Sequence, residues 1–401
     1  MPEPHRSLTL GEARDHVLRR CFAPRGADLI GLETEWLVVL GDDLTAPVPF
    51  AQVQAATAEA HPLPAHSVVT YEPGGQLELS GQPVTTVGAA CEAMRTDTVA
   101  VERALARGAL TLVGEGMDPG RSPHRVVHTP RYAAMEAYFD ADGPDGKRMM
   151  SSTAALQVNV GLGGSEGTAQ ERWLLAHALG PTLVATFANS PLNAGRATGW
   201  KSARLATWWQ IDPTRTAPVA LGGGVAAWAT YALDARVMFI RERDDRYMPL
   251  DSPLTFARWI RDGHELGHPT IDDLDYHLTT LFPPVRPRGW LEFRYLDALP
   301  DPWWRVAATV VAALLLDDSA KAAAFRATEG TEGLWLAAAR WGLEHPALAS
   351  AAVESVGAAL EAAGRVGADA ESVDAAAMYF ERYVARGRCP ADDRLLQGVS
   401  F

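Results

Sequence analysis

Hydrophobic and polar residues alternate in four separate stretches of the chain. Leu77 and Leu79 fall on one side of such a stretch, and Glu78 and Ser80 fall on the other. A period of two residues is typical of a β-strand with one buried face. The same alternation occurs in residues 31–36, 156–160 and 290–295. The pattern therefore predicts four strands, each with one apolar and one polar face.

The polar faces of these strands carry acids and amides and no lysine. They present Glu33, Glu35, Gln157, Asn159, Glu78, Glu292 and Arg294, and Glu72 precedes a Pro-Gly-Gly turn beside them. An ordinary solvent-exposed face is the simpler interpretation of any single strand. If the strands share a sheet, however, close carboxylates repel one another by about 4 kcal/mol per pair at an effective dielectric constant of roughly 20. Such a surface needs a cation.

The predicted surface has the ligand chemistry of a magnesium site. Hard oxygen ligands without a nearby cluster of Cys or His favour Mg²⁺ or Mn²⁺ over zinc. Mg²⁺ held by few carboxylates usually arrives with substrate phosphates. The pattern therefore predicts a divalent cation together with a phosphate-bearing substrate.

Helical patterns predominate after the last of these strands. Beyond residues 290–295 the chain is rich in alanine and is predicted to be helical to about Arg386. No linker interrupts the sequence, so we expect a single catalytic domain over residues 1–401. Within it, residues 1–300 are expected to form the sheet-containing core, and the helical C-terminal part, residues 301–401, is expected to pack on that core.

Residues 189–204 form the most unusual connection in the sequence. They contain too many turn-forming residues for a regular element and too many polar groups to be buried without partners. Long connections with this composition often carry binding residues. We expect an irregular binding loop that ends at Arg204.

Charge and cysteine usage restrict the possible partners and location. The 401 residues include 36 basic and 49 acidic side chains, a net charge of −13, which disfavours a nucleic-acid or anionic membrane partner. Cys21, Cys91 and Cys389 lie far apart and in no metal-ligand spacing, as suits a reducing cytoplasm. The first six residues contain no apolar signal segment, and the longest apolar run, residues 306–316, is too short to span a bilayer. We expect a soluble, cytoplasmic protein.

One motif offers a competing function. His264-Glu-Leu-Gly-His268 matches the His-Glu-x-x-His pattern of zinc peptidases, with Glu292 downstream as the third ligand. The pattern requires an uninterrupted helix, whereas glycines and a proline lie inside and beside this segment. A surface turn after a predicted helix at residues 255–261 is the alternative interpretation of the segment.

Six segments in order resemble the glutamate–cysteine ligase family, and most closely its actinobacterial branch, EgtA, which serves ergothioneine biosynthesis. They are Gly-Leu-Glu-Thr-Glu at 31–35, Glu-Pro-Gly-Gly-Gln-Leu-Glu-Leu-Ser-Gly at 72–81, Met-Met followed by Thr-Ala and Gln-Val-Asn at 149–159, Ala-Asn-Ser-Pro at 188–191, Thr-Gly-Trp-x-Ser-x-Arg at 198–204, and Leu-Glu-Phe-Arg-Tyr-Leu-Asp at 291–297. The resemblance covers the chain from about residue 28 to 305.

The resemblance implies an α+β fold like the catalytic domain of glutamine synthetase and the guanidino kinases, a curved antiparallel β-sheet with helices on its outer side. It also implies a reaction in which ATP phosphorylates the γ-carboxylate of L-glutamate. The amine of L-cysteine then displaces phosphate to give γ-glutamylcysteine. A related carboxylate–amine ligase that takes a different amine is the nearest rival, and a zinc metallopeptidase acting through His264 and His268 is the alternative of another class.

The resemblance further implies a metal site next to the ATP phosphates. The residues that resemble the family's Mg²⁺ ligands are Glu33, Glu35, Glu72, Glu78 and Glu292. Metal ions that bridge phosphate oxygens neutralise the charge that develops on a transferring phosphoryl group. Mg²⁺, or Mn²⁺ in its place, is the expected cofactor, and ATP is the expected co-substrate.

The remaining residues that resemble family positions are expected to bind the substrates. Arg294 is expected to stabilise the γ-phosphate or the acyl phosphate, with a structural ion pair to Glu292 as the alternative. Arg204 is expected to clamp the α-carboxylate of glutamate with two hydrogen bonds. The expected pocket also contains Gln157 and Asn159, which orient substrate or metal-bound water, and Trp200 and Lys201, which line its wall.

Overall fold

The computed structural model describes residues 8–23, 26, 28–242, 246–250 and 253–397. The first six residues, on which the absence of a signal segment was predicted, lie outside this range. Among the described helices, none combines the length and apolar character needed to cross a bilayer.

Short strands, most of them in one sheet, occur throughout the first three quarters of the chain. The strands are β1 (Ile30–Leu40), β2 (Val68–Tyr71), β3 (Leu77–Ser80), β4 (Leu110–Val113), β5 (Ala155–Gly161), β6 (Leu192–Asn193), β7 (Arg196–Ala197), β8 (Phe239–Arg241), β9 (Tyr247–Pro249), β10 (Val285–Pro287) and β11 (Trp290–Asp297). All four strands predicted from alternation are present.

Helices connect the strands and make up most of the C-terminal part. They are α1 (Leu10–Phe22), α2 (Phe50–Glu59), α3 (Val87–Ala106), α4 (Pro130–Asp140), α5 (Asp145–Ser152), α6 (Glu166–Ala178), α7 (Gly180–Phe187), α8 (Ala203–Trp209), α9 (Pro213–Thr216), α10 (Ala226–Asp234), α11 (Phe256–Asp262), α12 (Ile271–Leu278), α13 (Trp303–Leu316), α14 (Asp318–Thr328), α15 (Trp335–Trp341), α16 (Pro346–Ala362), α17 (Ala370–Arg382) and α18 (Pro390–Gln397). Polar side chains cap several of them; Thr86, for example, accepts a hydrogen bond from the Ala89 N–H at the start of α3.

Seven strands form one antiparallel sheet in the order β10-β11-β5-β1-β3-β2, with β4 paired to β1. Strand β1 occupies the centre because its 11 residues are long enough to pair with three neighbours. It pairs with β5 over residues 30–34, with β3 over residues 33–36 and with β4 over residues 37–40. Mixed helices and antiparallel sheet confirm the predicted α+β class.

The two faces of the sheet have different partners. Leu32, Leu79, Val158 and Phe293 are buried in the main hydrophobic cluster, which also contains Val310 of α13. The side chains between them in sequence project to the other face, as the period of two residues requires. Helices therefore cover one face, as predicted, and the opposite face carries the acids and amides.

The helical C-terminal part packs directly on the sheet-containing part. Helix α13 contacts α3 and β5, and α15 and α16 contact α7. The main hydrophobic cluster is continuous across residue 300, since it includes both Val158 and Leu348. The C-terminal helices thus share their core with the sheet.

One predicted segment differs in detail from the structure. Residues 189–204 were predicted to be irregular, but they contain the β6–β7 hairpin and lead into α8, whose first turn holds Arg204. An N-terminal cap explains this early helical turn, because the Ser202 hydroxyl accepts a hydrogen bond from the Leu205 N–H.

The zinc-peptidase interpretation fails on local geometry. Helix α11 ends at Asp262, and His264 pairs with Gly267 in an isolated β-bridge. The second histidine, His268, instead directs a ring nitrogen to the Ile260 carbonyl oxygen at 3.1 Å. Residues 264–268 therefore form a surface turn after a helix, which was the alternative to the zinc site. In the described part of the chain, the acidic, histidine and cysteine side chains that cluster closely enough to bind a metal ion are all glutamates.

Candidate functional site

Three glutamates from adjacent strands converge on the polar face of the sheet. Glu35 and Glu78 are direct cross-strand partners in the β1–β3 ladder. Glu72 follows the last residue of β2, and each of the three supplies a carboxylate oxygen within 4.8 Å of the others. We call Glu35, Glu72 and Glu78 the acidic half of the site.

Burial and mutual repulsion make the acidic half electrostatically unfavourable when all three groups are ionised. Burial, and then the neighbouring Glu78, raise the pKa of Glu35 to about 7. Burial, followed by Glu35 and Glu78, raises the pKa of Glu72 well above its ordinary value. Like charges directly opposite each other in a sheet are destabilising. The acidic half therefore binds protons unusually well, or a cation in their place.

Hydrogen bonds orient the carboxylates of β1 and β3 without neutralising them. Glu35 accepts hydrogen bonds from the Ala155 N–H at 2.8 Å and from the side-chain amide of Gln157 at 3.0 Å. Glu78 accepts from the hydroxyls of Thr70 at 2.8 Å and Ser80 at 3.0 Å. Neutral donors hold the geometry, and negative charge remains for a ligand to balance.

A tight turn places Glu72 beside the other two acids. The Glu72 N–H donates to the Gln76 carbonyl at 2.9 Å, and the Gly75 N–H donates back to the Glu72 carbonyl at 2.8 Å. Gly75 has a φ of +86°, which favours glycine. A Cβ at Gly74 would lie only 2.2 Å from the Ser151 carbonyl oxygen. The Pro-Gly-Gly sequence is therefore what brings Glu72 to the site.

Glu292 occupies a different environment on the same face. Its side chain is fully buried and lies 2.6 Å from Arg286, 3.3 Å from Arg288 and 3.4 Å from Arg294. Burial raises its pKa, but Arg286 and Arg294 outweigh that effect and hold it at about 2. We call Glu292 and these three arginines the arginine half.

The arginine half separates Glu292 from the other predicted metal ligands. Its carboxylate oxygens accept hydrogen bonds from Arg286 and Arg288. Three cations already compensate this carboxylate, whereas the acidic half has no Lys, Arg or His nitrogen within salt-bridge distance among the described residues. The ion pair with Arg294, the structural alternative considered for that arginine, is present.

Glu33 and Asn159 lie between the two halves. Burial, then Glu292 and Glu78, raise the pKa of Glu33 to about 7. The Asn159 amide donates to Glu33 at 3.0 Å, and the indole N–H of Trp290 donates to the Asn159 oxygen at 2.9 Å. The Trp290 contact assigns the Asn159 amide orientation, so its nitrogen faces Glu33.

Gln157 connects the two halves directly. Its amide oxygen accepts from Arg294 at 2.6 Å, and its amide nitrogen donates to Glu35 at 3.0 Å. The side chain is 3% exposed. A rigid amide between a cation and an anion fixes the separation of the two halves.

Arg204 lies near both halves of the site, and part of its guanidinium has no hydrogen-bond partner. The side chain is 3% exposed, and its Nη2 donates to the Arg294 carbonyl at 2.8 Å. Its Nε and Nη1 are buried without a hydrogen-bond partner. Burial lowers its pKa, although Asp297 and Glu35 oppose that effect. A buried guanidinium with two unused donors suits an anionic group of a ligand.

A cavity of about 280 Å³ joins these groups. It is lined by the acidic half, by Glu33, Gln157 and Arg204, by the three arginines around Glu292, and by Arg131, Tyr132, Met135, Met149, Met150, Trp208 and Phe282. The cavity is therefore charged on its sheet side and largely aromatic and thioether-lined on its helix side.

Trp200 and Lys201 do not join this cavity, contrary to the prediction. The Lys201 ammonium pairs with Glu344 at 2.8 Å and with Asp392 of α18. Trp200 lines a separate cavity and packs under the guanidinium of Arg340, 5.1 Å from its ring centroid. Ion pairing to the C-terminal helices, which the local motif does not indicate, explains the orientation of Lys201.

Arg286 and Arg288 are the main charged residues of the site that the sequence analysis missed. Both belong to the segment Val285-Arg-Pro-Arg288, where β10 runs into β11. Arg286 and Arg288 are two residues apart, which is the period that puts two side chains on the same face of a strand. The sequence therefore did contain a sign of a strand with a cationic face. The intervening proline concealed it, because proline argues against a paired strand.

Comparison with known proteins identifies the family of the chain. Residues 29–398 match the family model described as glutamate-cysteine ligase family 2. The chain belongs to this family. It is 41% identical over 392 residues to the glutamate–cysteine ligase EgtA of Mycobacterium tuberculosis, covering 95% of this chain and 88% of that protein. It is 42% identical over 371 residues to the EgtA of Mycolicibacterium smegmatis, covering 91% and 86%.

One solved structure has a similar fold. It is the glutamate–cysteine ligase of Francisella tularensis in complex with AMP, with a TM-score of 0.54 and 14% sequence identity. The alignment covers 93% of this chain and 85% of that one. At this identity the similarity establishes the fold alone.

Proposed function

We propose that this chain is an ATP-dependent ligase that joins the γ-carboxylate of L-glutamate to the amine of L-cysteine. ATP phosphorylates glutamate to γ-glutamyl phosphate, and the cysteine amine displaces phosphate to give γ-glutamylcysteine. Membership of the glutamate–cysteine ligase family supports this reaction. The AMP complex of the Francisella enzyme is in line with the use of a nucleotide.

The observation that carries the proposal is the arrangement of Arg204 against the acidic half. The guanidinium has two buried donors without partners, and the cavity that it lines also contains three crowded carboxylates. A ligand that satisfies both sides must contribute an anion to Arg204 and a cation to the glutamates. An amino acid carboxylate together with a metal–nucleotide complex meets both needs.

The acidic half suits a hard divalent cation. Glu35, Glu72 and Glu78 supply oxygens within 4.8 Å of one another, and burial together with the neighbouring carboxylates raises the pKa values of Glu35 and Glu72. We assign Mg²⁺, or Mn²⁺, to these residues, with Glu33 at the edge of the site. When bound, the ion neutralises charge on the phosphate oxygens and on the γ-carboxylate. Glu292 contributes to the metal site only if its arginines turn to a phosphate instead.

The arginine half suits the phosphates. Arg286 and Arg294 line the cavity and are largely buried, with 11% and 14% of their side-chain surface exposed. Guanidinium groups held by a buried carboxylate are oriented in advance, so their remaining donors are directed to incoming phosphate oxygens with little reorganisation. Positioning and charge stabilisation are the main contributions that a protein makes to phosphoryl transfer.

Arg204 binds the α-carboxylate of glutamate in this proposal. Its Nε and Nη1 have no partner, and Nη2, for which one contact is seen, lies next to each of them, so either edge of the guanidinium offers a carboxylate a two-pronged pair of donors. That contact leaves the γ-carboxylate directed toward the acidic and arginine halves. The side chains of Met149, Met150 and Trp208 cover the helix side and limit the access of water, which otherwise hydrolyses an acyl phosphate.

Phosphate release tests the proposal. The protein is assayed with ATP, Mg²⁺ and L-glutamate while L-cysteine, L-alanine or buffer is added in turn, and γ-glutamylcysteine is identified by mass spectrometry. We expect release that depends on both glutamate and cysteine. Equal release with cysteine, alanine and buffer contradicts the assignment of cysteine, and release with another amine alone indicates the rival ligase.

A further inference from the structure

Strand β11 contains a β-bulge next to Arg294. Phe293 pairs with Val158, and the next pair along the two strands joins Leu296 to Leu156. Three steps along β11 therefore match two steps along β5, so β11 has one extra residue in this interval. A bulge of this kind bends a strand and changes the face to which the following side chains point.

The bulge places the last residue of β11 on the same face as Glu292. Glu292 pairs with Asn159, and Asp297 pairs with Ala155. Asn159 and Ala155 are four residues apart in β5, so both pairs lie on one face of the sheet. A regular strand would direct residues 292 and 297 to opposite faces, because they are an odd number of residues apart. The Asp297 side chain therefore lies on the polar face of the sheet.

The buried Asp297 carboxylate holds both ends of the segment 189–204. The residue is 2% exposed. Its oxygens accept hydrogen bonds from the Asn189 N–H at 2.8 Å, from the Ser190 hydroxyl at 2.7 Å and from the Ser202 hydroxyl at 2.9 Å. All three donors are neutral and belong to this one segment. A single carboxylate therefore connects the sheet to the start and to the end of the segment.

The two serine hydroxyls extend this connection to helix α8. The Ser190 hydroxyl oxygen accepts a hydrogen bond from the Arg204 N–H at 3.1 Å, and the Ser202 hydroxyl oxygen accepts one from the Leu205 N–H at 3.2 Å. Each serine thus donates to Asp297 and accepts from the first turn of α8. The backbone position of Arg204 depends on the carboxylate through these two short chains of hydrogen bonds.

Asp297 acts on Arg204 and not on a substrate directly. Arg204 lines the candidate active-site cavity, whereas Asp297 does not. Burial lowers the pKa of Arg204, and Asp297 is the first of the neighbouring charges that oppose this effect. Strand β11 also holds the guanidinium itself, since Nη2 donates to the Arg294 carbonyl at 2.8 Å. The strand therefore fixes both the backbone and the side chain of Arg204.

We propose that Asp297 is a positioning residue, which holds Arg204 in place for the α-carboxylate of glutamate through the two serine hydroxyls. The inference rests on the proposed function, in which Arg204 binds glutamate. Glu292 and Arg294 belong to the same strand, so β11 also sets the distance from the α-carboxylate site to the arginine half. Asp297 contributes to substrate binding by this geometry alone.

The Asp297→Asn variant tests the proposal in the phosphate-release assay. The amide keeps the shape of the side chain, but it replaces one acceptor oxygen by a donor and removes the charge. We expect the KM for glutamate to rise about tenfold, while kcat and the KM for ATP stay within about twofold of the wild type, as for a loss of binding alone.

Asp97→Asn is the matched control for a buried aspartate. Asp97 is also buried, and it accepts hydrogen bonds from the N–H groups of Ala65 at 2.7 Å and Ser67 at 2.8 Å. It does not line the candidate active-site cavity. We expect the KM for glutamate to be unchanged in this variant. An equal rise in Asp97→Asn and Asp297→Asn would mean that general loss of stability causes both, which contradicts the proposal.

A double variant shows whether Asp297 acts through Arg204. A residue that only positions the guanidinium has little left to contribute once Arg204→Lys has removed it. We expect kcat/KM for glutamate in the double variant to fall about 30-fold, as in Arg204→Lys alone. Independent effects would multiply to a loss of about 300-fold, and that result overturns the proposal.

Ser190→Ala provides a second test that keeps the buried carboxylate. It removes one of the two hydroxyls, and we expect the KM for glutamate to rise about threefold. Ser355→Ala is its control, because this serine of α16 is fully buried and its hydroxyl has no partner. Circular dichroism establishes that each variant is folded. If Asp297→Asn does not fold, Ser190→Ala decides, and a wild-type KM for glutamate in that variant overturns the proposal.

The assay separates failure of this inference from failure of the proposed function. A wild type without turnover that depends on glutamate refutes the proposed function, and this inference with it. An active wild type with the same KM for glutamate as a folded Asp297→Asn refutes the positioning role of Asp297 alone.

Discussion

The acidic half and the arginine half lie on one face of one sheet, yet their glutamates have opposite properties. Burial acts on Glu35 and on Glu292 alike, but the pKa of Glu35 rises to about 7 while that of Glu292 falls to about 2. The difference comes from their neighbours: another carboxylate faces Glu35, and three arginines surround Glu292. The comparison shows that the arginine half is compensated within the protein itself, and we propose that a bound cation compensates the acidic half.

The largest effect on stability should follow from removing the carboxylate of the arginine half. In Glu292→Gln the largely buried Arg286 and Arg294 lose a fully buried counter-charge, so we expect the free energy of unfolding to fall by about 3–5 kcal/mol. Urea unfolding measures it, and the exposed Glu265→Gln serves as the control. A variant as stable as the wild type would mean that the arginines are compensated by other groups.

The same type of substitution in the acidic half should reduce activity and increase the stability of the fold. Glu78→Gln removes a charge that directly opposes Glu35. We expect turnover to fall at least about a hundredfold, or roughly 3 kcal/mol in the barrier, while the free energy of unfolding in EDTA rises by about 1 kcal/mol. Turnover near the wild-type rate would remove Glu78 from the metal site.

Substitution of Arg204 tests whether this residue binds glutamate. Arg204→Lys keeps the charge but loses the paired donors, so we expect kcat/KM for glutamate to fall about 30-fold, or roughly 2 kcal/mol, with the KM for ATP unchanged. Lys201→Met should leave the KM for glutamate unchanged, because that ammonium pairs with Glu344 and Asp392. Equal effects of the two substitutions on the KM for glutamate would contradict this division of roles.

The smallest effect is on the pH dependence of stability, and its sign differs between the halves. The folded-state pKa of Glu35 is raised from 4.5 to about 7, so its contribution to stability is present below pH 4.5 and is lost as the pH rises to about 7. The folded-state pKa of Glu292 is lowered from 4.5 to about 2, so its contribution is present above pH 4.5 and is lost as the pH falls to about 2.

Chemical denaturation in EDTA across pH 3–8 distinguishes these two contributions. Glu35→Gln should flatten the decline between pH 4.5 and 7 and leave the acid side unchanged. Glu292→Gln should flatten the acid side alone. A variant that changes the opposite limb would show that the electrostatic assignment is reversed.

Local alternation was sufficient to predict the strands and most of the acidic face. The period of two residues in β1, β3, β5 and β11 depends only on nearest neighbours in sequence, and it gave the correct face for Glu33, Glu35, Glu78 and Glu292. The turn at Glu72 was predictable for the same reason, because Pro-Gly-Gly has strong local preferences. Each of these features can be recognised from a few consecutive residues of the sequence.

Long-range pairing was not predictable from local pattern. Glu292 and Glu78 lie in similar Leu-Glu-x segments, but the pairing of β11 with β10 places Arg286 directly opposite Glu292. Lys201 lies inside the segment 198–204 that resembles the family, but its side chain points toward Asp392, which is far away in sequence. Partners that arrive from distant segments decide whether a polar residue becomes part of a site or part of the framework.

Cation binding in the absence of turnover tests the central claim most directly. Mn²⁺ is titrated into metal-free protein with ATP present, and free Mn²⁺ is measured by electron paramagnetic resonance for the wild type, Glu78→Gln and Glu265→Gln. We expect saturable binding that is retained in Glu265→Gln and weakened at least about tenfold in Glu78→Gln, because a carboxylate ligand is lost. Equal Mn²⁺ affinity in all three proteins would contradict a metal site built on Glu35, Glu72 and Glu78.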